Sequence, residues 1–284
     1  MVDDCSTDNT SYIVAELQKK YPQIRYIRNE RNSRQCFSKN VGIRIAQGEY
    51  IYFGDDDSIL TENSISVLLE TMVLEDADMV GARALYMGNY CSTDKLSLKA
   101  FERWQRHKNK ISPEKVAIVE PFTSHFNAWT DRCVTVKYLH SCLLCKSIYA
   151  KEILFDENYT GCAYREETDF CIRATFQGLK LVYEPKSVQI NLPPKFVKKS
   201  GAHSGGKKTW LESALECNQY FFDKNWNNFL KYFDIRSSKE NFVFQTEKEI
   251  RQTANRKCNP LKELLKLFYF RIFIISCYGH KDFI

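Results

Sequence analysis

The sequence lacks the features that would assign it to several special classes of protein. No run of about 18 uninterrupted apolar residues is present, which argues against a conventional membrane-spanning helix. No segment is low in complexity or uniformly polar, and the hydrophobic and charged fractions, 44% and 27%, are those of globular domains. A chain of 284 residues can bury one substantial core. We therefore expect one main domain with an appendage.

A secretory cysteine framework and dense basic coverage are also missing. Eleven cysteines are spread along the chain. The sequence does not begin with the pattern of a secretory signal, which is a charged region, an apolar region and a cleavage site. We expect reduced thiols and a cytoplasmic location. The formal charge of +6 is mild, and its basic residues do not concentrate with aromatic ones. This balance disfavours nucleic acid as a partner and favours an anionic small molecule or an anionic membrane surface.

The first 85 residues alternate strand and helix signals, as in an α/β domain with a largely parallel sheet. The apolar run 50–53 predicts a strand, and a helix is predicted over residues 37–47 before it. Residues 181–183 predict a short strand that ends before Pro185. From residue 86 to 132 the periodicity fades. This segment is interpreted either as a connection that lines an acceptor site or as an excursion with its own small core.

Three consecutive carboxylates, Asp55, Asp56 and Asp57, directly follow the predicted strand 50–53. Ligands of open α/β sheets bind at the carboxyl ends of strands, and clustered carboxylates repel one another unless a cation is present. Mg²⁺ or Mn²⁺ would accept such ligands together with the oxygens of a diphosphate. A solvated turn that caps the next helix is the alternative.

Two further acidic groups stand at predicted strand–helix junctions. Asp3 and Asp4 follow a strand and could contact a nucleoside, or could cap a helix. Glu166 and Glu167, with Asp169, open a helix, and its dipole favours the ionised carboxylate that a general base needs. Helix-end electrostatics is the alternative. A zinc site at His140, Cys142 and Cys145 is disfavoured because the intervening leucines indicate a buried strand.

The order of these motifs resembles glycosyltransferase family 2. The series VDDCSTDNT, FSKNVGI, GEYIYFGDDDSIL and YREETDFCIRATFQGLKLVYEP runs from residue 1 to 185. In that family Gly usually replaces Cys5, and the acidic pair is more often Glu-Asp than Glu-Glu. The resemblance implies a GT-A fold, Rossmann-like with an open, mostly parallel sheet, that binds a nucleoside-diphosphate sugar and inverts the anomeric centre, commonly with a divalent metal, Mg²⁺ or Mn²⁺.

Carried onto this sequence, the resemblance assigns a role to each matching position. Glu167 would be the catalytic base, and Asp57 the main metal ligand with Asp55. The donor would contact Asp3, Asp4, Asn40, Asp55, Asp56 and Lys207. Uridine diphosphate sugars are the commonest donors of the family, and the acceptor would be a glycan or lipid-linked molecule.

The remainder, residues 191–284, adds a basic glycine-rich loop and a helical region to the catalytic domain, residues 1–190. Related enzymes close a loop here over the diphosphate, in which Lys207 would contact phosphate and His203 could add a metal ligand. Residues 261–275 predict a basic amphipathic helix with an apolar end, which could lie at a membrane surface or pack on the domain.

The family's usual first strand, before the VDD motif, has no counterpart in the sequence. Such a gap would leave an exposed strand edge and part of the donor site missing. Two alternatives to a glycosyltransferase therefore remain open: an inactive relative that binds a nucleotide sugar or a partner enzyme, and a metal-dependent nucleotidyltransferase, which would need no base at Glu167.

Overall fold

The computed structural model describes residues 1–87, 93–117, 125–192 and 206–255, together with Lys266. The strands of these ranges are β1 Val2–Asp3, β2 Ile27–Arg28, β3 Tyr50–Phe53, β4 Ser58–Leu60, β5 Met79–Tyr86, β6 Val134–Val136, β7 Leu143–Lys146 and β8 Leu181–Asn191. The helices are α1 Thr10–Lys20, α2 Arg34–Ile45, α3 Ser64–Leu74, α4 Lys95–Lys108, α5 Pro113–Ala117, α6 Ser147–Ile153, α7 Glu166–Phe176, α8 Gly206–Tyr232 and α9 Lys239–Asn255.

The central sheet has the strand order β3-β7-β5-β8-β4. Strand β6 lies off this path and pairs with β8. Strands β5 and β8 are parallel, whereas β7 runs antiparallel to both β3 and β5, and β4 and β6 run antiparallel to β8. The α/β class is confirmed, but the expected mostly parallel sheet is mixed. The reason is that β7 inserts between two strands that precede it in the chain, in the direction opposite to both.

Strands β1 and β2 form a separate parallel pair, in which Val2 lies opposite Ile27. Helix α2 packs against β1 and connects this pair to the rest of the domain. Within the described residues no hydrogen-bonded ladder joins the pair to the central sheet. The motif VDD therefore lies on its own small sheet, next to the helix that leads into β3.

The segment from residue 86 to 132 contains two helices, α4 and α5, in its described part. Buried apolar residues of α4 and its surroundings pack against the ends of β5 and β8, namely Leu85, Met87, Ala100, Phe101, Val188 and Ile190. The described part of the segment thus packs on the sheet through a small apolar cluster that it shares with β5 and β8. Its role on the acceptor side stays a prediction.

Strand β8 is longer than the sequence indicated, because it continues through Pro185 to Asn191. The pairing with β5 shifts at this point: Ala82 lies opposite Glu184, but Arg83 lies opposite Val188. Proline has no N–H to donate to a ladder and is tolerated at such irregularities. The expected end of the strand before Pro185 was therefore wrong, and the extension carries Gln189 and Asn191 to the carboxyl end of β3.

Helices α8 and α9 pack on each other, and α8 also packs on α7; aromatic residues of both α8 and α9 join the same buried cluster as the sheet. Asn225 Nδ2 of α8 donates to Asp169 Oδ1 of α7 at 2.9 Å. None of the helices in the described ranges combines the length and the apolar character that crossing a membrane requires. The amphipathic helix predicted from residue 261 lies outside the described residues, apart from Lys266.

Candidate active site

The predicted aspartate cluster lies in the turn between β3 and β4. Asp55 Oδ2 accepts hydrogen bonds from Ser141 Oγ at 3.0 Å, Gln189 Nε2 at 3.2 Å and Asn191 Nδ2 at 3.4 Å. Ser141 precedes β7 and the two amides belong to β8, so three strands position this carboxylate. Burial, and then the charge of Glu167, raise the pKa of Asp55. Asp55 thus stands near a second carboxylate, an arrangement that a cation would stabilise.

The other two aspartates of the turn have different surroundings. Asp56 is exposed, whereas Asp57 is half-buried, and the backbone oxygen of Asp57 accepts a hydrogen bond from Leu192 N at 2.8 Å. No hydrogen bond or ion pair to the Asp57 carboxylate is made by the residues that the structure describes. Its oxygens are therefore available to a ligand that enters the turn.

The two carboxylates fit a divalent ion of the Mg²⁺ type. Across the described ranges, no group of three or more His, Cys, Asp or Glu is arranged to hold a metal by itself. Mg²⁺ does not require such a cage, since one or two carboxylates, substrate phosphates and water complete its shell. Asp55 and Asp57 supply hard oxygen ligands on a rigid edge of the sheet. His203, the third predicted ligand, lies outside the described residues.

Glu167 lies in the first turn of α7, where the backbone dipole favours a negative charge. The ammonium nitrogen of Lys39 is 2.7 Å from Glu167 Oε1, and Gln35 Nε2 is 3.4 Å from the same oxygen. Burial opposes ionisation of Glu167, but the charge and the hydrogen bond of Lys39 outweigh it and lower the pKa of this carboxyl. The side chain keeps 20% of its surface exposed. Glu167 is therefore an ionised carboxylate that a hydroxyl group can reach.

Its neighbour Glu166 is a different kind of carboxyl group, 1% exposed and enclosed by α2. Cys36 Sγ lies 2.7 Å from Glu166 Oε2, Lys39 Nζ lies 2.8 Å from Oε1, and Gln35 also donates to Oε1. Burial raises the pKa of Glu166 to about 8, with the charge of Glu167 acting in the same direction and Lys39 against it. Glu166 thus fixes α7 against α2, whereas Glu167 points to the accessible side.

Lys39 was not among the residues that the sequence predicted for the site. Its partners are more than 120 positions away in the chain, at the start of α7. A local signal did exist: on α2 the buried residues Cys36, Asn40 and Ile43 recur at helical spacing, and Lys39 falls on this otherwise buried face. A lysine there requires an anionic partner inside the protein.

Asn40 occupies the core instead of an open donor site. It is 1% exposed, and its Nδ2 donates to Phe155 O at 2.9 Å and to Glu157 Oε1 at 2.8 Å. Its Oδ1 accepts from Phe155 N at 2.7 Å. Both amide hydrogens are used to hold the segment after α6. This position argues for a structural role, and the predicted contact with the donor finds no support in it.

Asp3 and Asp4 are engaged with nearby backbone groups. Asp3, which is 4% exposed, accepts a hydrogen bond from Ser6 N at 2.9 Å. Asp4 accepts from Ser33 N at 2.8 Å and Arg34 N at 2.7 Å, and so fixes the start of α2. Burial opposes ionisation of both carboxyls, but the hydrogen bonds lower the pKa of each. Their contact with a nucleobase or ribose stays a prediction, as does that of Lys207, which is exposed at the start of α8.

The geometry also bears on the zinc alternative. Cys142 belongs to the buried cluster that packs on α3, whereas Cys145 belongs to the cluster that contains α7. The two thiols therefore point to different sides of the sheet. His140 packs edge-on against Phe126, with ring centroids 4.3 Å apart, and burial lowers the pKa of the imidazole to about 4. These three residues do not form a metal site.

Comparisons with known proteins give the family and the fold that this chain resembles. Residues 1–139 match the family described as Glycosyl transferase family 2. The chain is 36% identical over 94 residues to the glycosyltransferase GlyG of Streptococcus pneumoniae serotype 4, a match that covers 33% of this chain and 29% of that protein. It is 39% identical over 70 residues to the GalNAc(5)-diNAcBac-PP-undecaprenol beta-1,3-glucosyltransferase of Campylobacter jejuni, covering 24% of this chain and 22% of the other.

A solved structure has a similar fold. The mannosyltransferase PcManGT from Pyrobaculum calidifontis, in complex with GDP-Man and Mn²⁺, superposes with a TM-score of 0.51 at 14% identity, over 100% of this chain and 77% of that one. The GT-A fold that the motifs implied is thereby confirmed. Residues 1–139, which place the aspartate cluster at the end of β3, thus match glycosyltransferase family 2, and the chain has the GT-A fold of such enzymes.

Proposed function

We propose that this protein is a metal-dependent, inverting glycosyltransferase. It would move a sugar from a nucleoside-diphosphate sugar to a hydroxyl group of an acceptor. One observation carries the proposal: the accessible carboxylate of Glu167, paired with Lys39 at 2.7 Å, lies within electrostatic range of Asp55 in the strand-end turn. A candidate base and a candidate metal site thus stand together, although they come from distant parts of the sequence.

The aspartate turn is the donor side of this proposal. Asp55 and Asp57 would hold Mg²⁺ or Mn²⁺, which when bound neutralises charge on the departing diphosphate. Asp55 is held in place by the three hydrogen bonds from β8 and Ser141, so its carboxylate needs little reorganisation to accept the ion. Asp3, Asp4 and the exposed Asp56 would contribute to binding of the nucleoside, for which a uridine base is the first candidate.

Glu167 is the acceptor side. Its carboxylate would take the proton of the acceptor hydroxyl as the oxygen of that hydroxyl forms a bond to the anomeric carbon. The bond from this carbon to the diphosphate oxygen breaks in the same step, and the configuration inverts because attack and departure are in line. Lys39 keeps the carboxyl ionised before the reaction. A base that begins the cycle protonated could not perform this step.

The acceptor would be a glycan or a lipid-linked molecule of cell-envelope assembly. Support comes from the relatives, since the Campylobacter enzyme is named for an undecaprenol-linked glycan. A lipid-linked acceptor would bring the enzyme to the cytoplasmic face of a membrane as a peripheral protein. The surplus of basic residues, a formal charge of +6, is compatible with an anionic surface.

The proposal is tested by donor binding and transfer measured on the same variants. The thermal shift is measured with nucleoside diphosphates and nucleotide sugars, with and without Mn²⁺. Nucleotides of one base should raise the melting temperature of the wild type in the presence of Mn²⁺ and should not raise that of Asp57→Ala. Glu167→Gln should keep this stabilisation and lose transfer. Asp234→Ala, a change of an exposed aspartate in the connection between α8 and α9, is the control. A folded wild type that no nucleotide stabilises would refute the enzyme assignment, and transfer by Glu167→Gln at the wild-type rate would exclude this base.

A further inference from the structure

Tyr86, the last residue of β5, keeps its ring in solvent although it stands beside the candidate active site. The residue is 63% exposed. One contact holds the ring of Tyr86, which packs edge-to-face on Phe126 with centroids 5.7 Å apart. Phe126 in turn packs on His140 at 4.3 Å. The packing orients the ring of Tyr86 and leaves most of its surface uncovered.

Tyr86 lies opposite Asn191 in the β5–β8 ladder, and Asn191 Nδ2 donates a hydrogen bond to Asp55 Oδ2 at 3.4 Å. The exposed ring of Tyr86 therefore stands at the carboxyl end of β5, beside the strand that positions Asp55. It offers a ligand a planar, apolar surface next to the aspartate turn.

We propose that Tyr86 is the stacking surface for a pyranose ring of the acceptor. A pyranose has an apolar face of C–H groups and a rim of hydroxyls, so an aromatic ring beside hydrogen-bond acceptors matches both parts. An apolar peptide would match the ring but leave the carboxylates without partners. This inference rests on the proposed function, and it adds the class of the acceptor and a residue that selects it.

The acceptor, and not the donor, is the expected occupant of this surface. Tyr86 ends β5, which runs parallel to β8, and α7 leads into β8, so the first turn of α7 with Glu167 lies at the same edge of the sheet as Tyr86. The predicted nucleoside contacts, Asp3 and Asp4, lie on the separate sheet of β1 and β2. A sugar stacked on Tyr86 would therefore present its hydroxyls to the candidate base.

The test measures binding of simple glycosides and of nucleotides to the same variants. Methyl β-D-glucopyranoside, methyl β-D-galactopyranoside and their 2-acetamido analogues are titrated by ligand-observed NMR, with and without uridine diphosphate and Mn²⁺. At least one glycoside should bind the wild type and Tyr86→Phe equally, and bind Tyr86→Ala about three- to tenfold more weakly. Tyr12→Ala, which removes a tyrosine that is 67% exposed on α1, should bind like the wild type.

The two proposals fail in different ways. Equal glycoside affinity of wild type and Tyr86→Ala, or no binding of any glycoside to the wild type in either condition, would overturn the stacking role. A loss of nucleotide affinity in Tyr86→Ala would also overturn it, because the ring would then serve the donor. Glycoside binding that depends on Tyr86 in a protein that binds no nucleotide would support the stacking role and count against the transferase activity alone.

Discussion

The ammonium group of Lys39 on α2 lies 2.7 Å from the carboxylate of Glu167 on α7, and 2.8 Å from that of Glu166. One lysine is thus shared by two consecutive carboxyl groups. Because a positive charge at this distance favours the ionised form, Lys39 sets the acidity of the proposed base.

Lys39→Met should move the acidic limb of the pH profile of kcat/KM to higher pH. The base acts when deprotonated, so activity falls as the pH falls through the pKa of Glu167. Removal of Lys39 raises that pKa, and a shift of about 1 unit is expected from the loss of one adjacent charge. Lys39→Arg keeps the charge and should keep the limb near its wild-type position. An acidic limb that does not move in Lys39→Met would show that Glu167 is not the titrating base.

Asn40→Ala should lower stability without changing the intrinsic affinity for nucleotide. Three hydrogen bonds to residues 155 and 157 are lost in a site that is 1% exposed, which is expected to cost about 2 to 3 kcal/mol. Urea denaturation measures the loss, and calorimetric titration with uridine diphosphate and Mn²⁺ measures the affinity of the folded protein. Asn241→Ala on the exposed side of α9 is the control. Weaker nucleotide binding at unchanged stability would restore Asn40 to the donor site.

Cys5→Gly should stabilise the protein. Cys5 has a φ of 63°, in the left-handed region, where a side chain costs about 1 to 2 kcal/mol. Glycine removes this strain and adds an unfolded-state entropy cost of about 0.4 to 1 kcal/mol, so a net gain of about 0.5 to 1 kcal/mol is expected. Cys5→Ala keeps the strain and should give no gain in the same urea denaturation. A lower stability for Cys5→Gly than for Cys5→Ala would mean that the unfolded-state entropy of glycine outweighs the backbone strain at this position.

Asp156→Asn should destabilise the protein at neutral pH and much less in acid. Burial opposes ionisation of Asp156, but Lys224, Asn158 N and Tyr220 outweigh it and lower the pKa to about 2. The folded-state pKa lies below the unfolded one, so the stabilisation is present above about pH 4 and is lost as the pH falls toward 2. We expect a loss of about 1 to 2 kcal/mol at pH 7, after allowance for partial exposure.

Urea denaturation of wild type and Asp156→Asn at pH 7, 5 and 3 checks this dependence. Asp234→Asn removes a carboxylate that pairs with Arg236 on the surface, where both side chains are more than 80% exposed, and should show no such trend. A stability difference between wild type and Asp156→Asn that stays constant from pH 7 to 3 would contradict the ion-pair explanation.

The elements that the sequence predicted well are those whose signal is local. Strand β3 was expected at residues 50–53 and found there, and α7 begins at Glu166 as expected. Both follow from an apolar run or a helical repeat bounded by turn residues. The order and direction of the strands depend on pairings between distant segments, and the insertion of β7 between β3 and β5 leaves no local signature.

The site was predictable in its carboxylates and not in their partners. Asp55, Asp57 and Glu167 stand in recognisable motifs, but the hydrogen bonds from Gln189 and Asn191 depend on the continuation of β8 past Pro185. Likewise, Asn40 lies in a motif that resembles the family, and its burial follows only from the position of the segment after α6. Tyr86 was taken as the start of an irregular connection, because its exposure cannot be read from the sequence.

The position of β5 between β7 and β8 has a consequence for synthesis of the chain. Both neighbours of β5 come later in the sequence, with β8 ending at Asn191. At translation rates of about 5 to 20 residues per second, the roughly one hundred residues after β5 take on the order of 5 to 20 s to appear. For the first part of that interval, until β7 ends at Lys146, a strand with seven of its eight residues destined for the interior has neither partner, and until β8 appears it still lacks one. The nascent chain is thus expected to depend on ribosome-associated chaperones until α7 and β8 emerge.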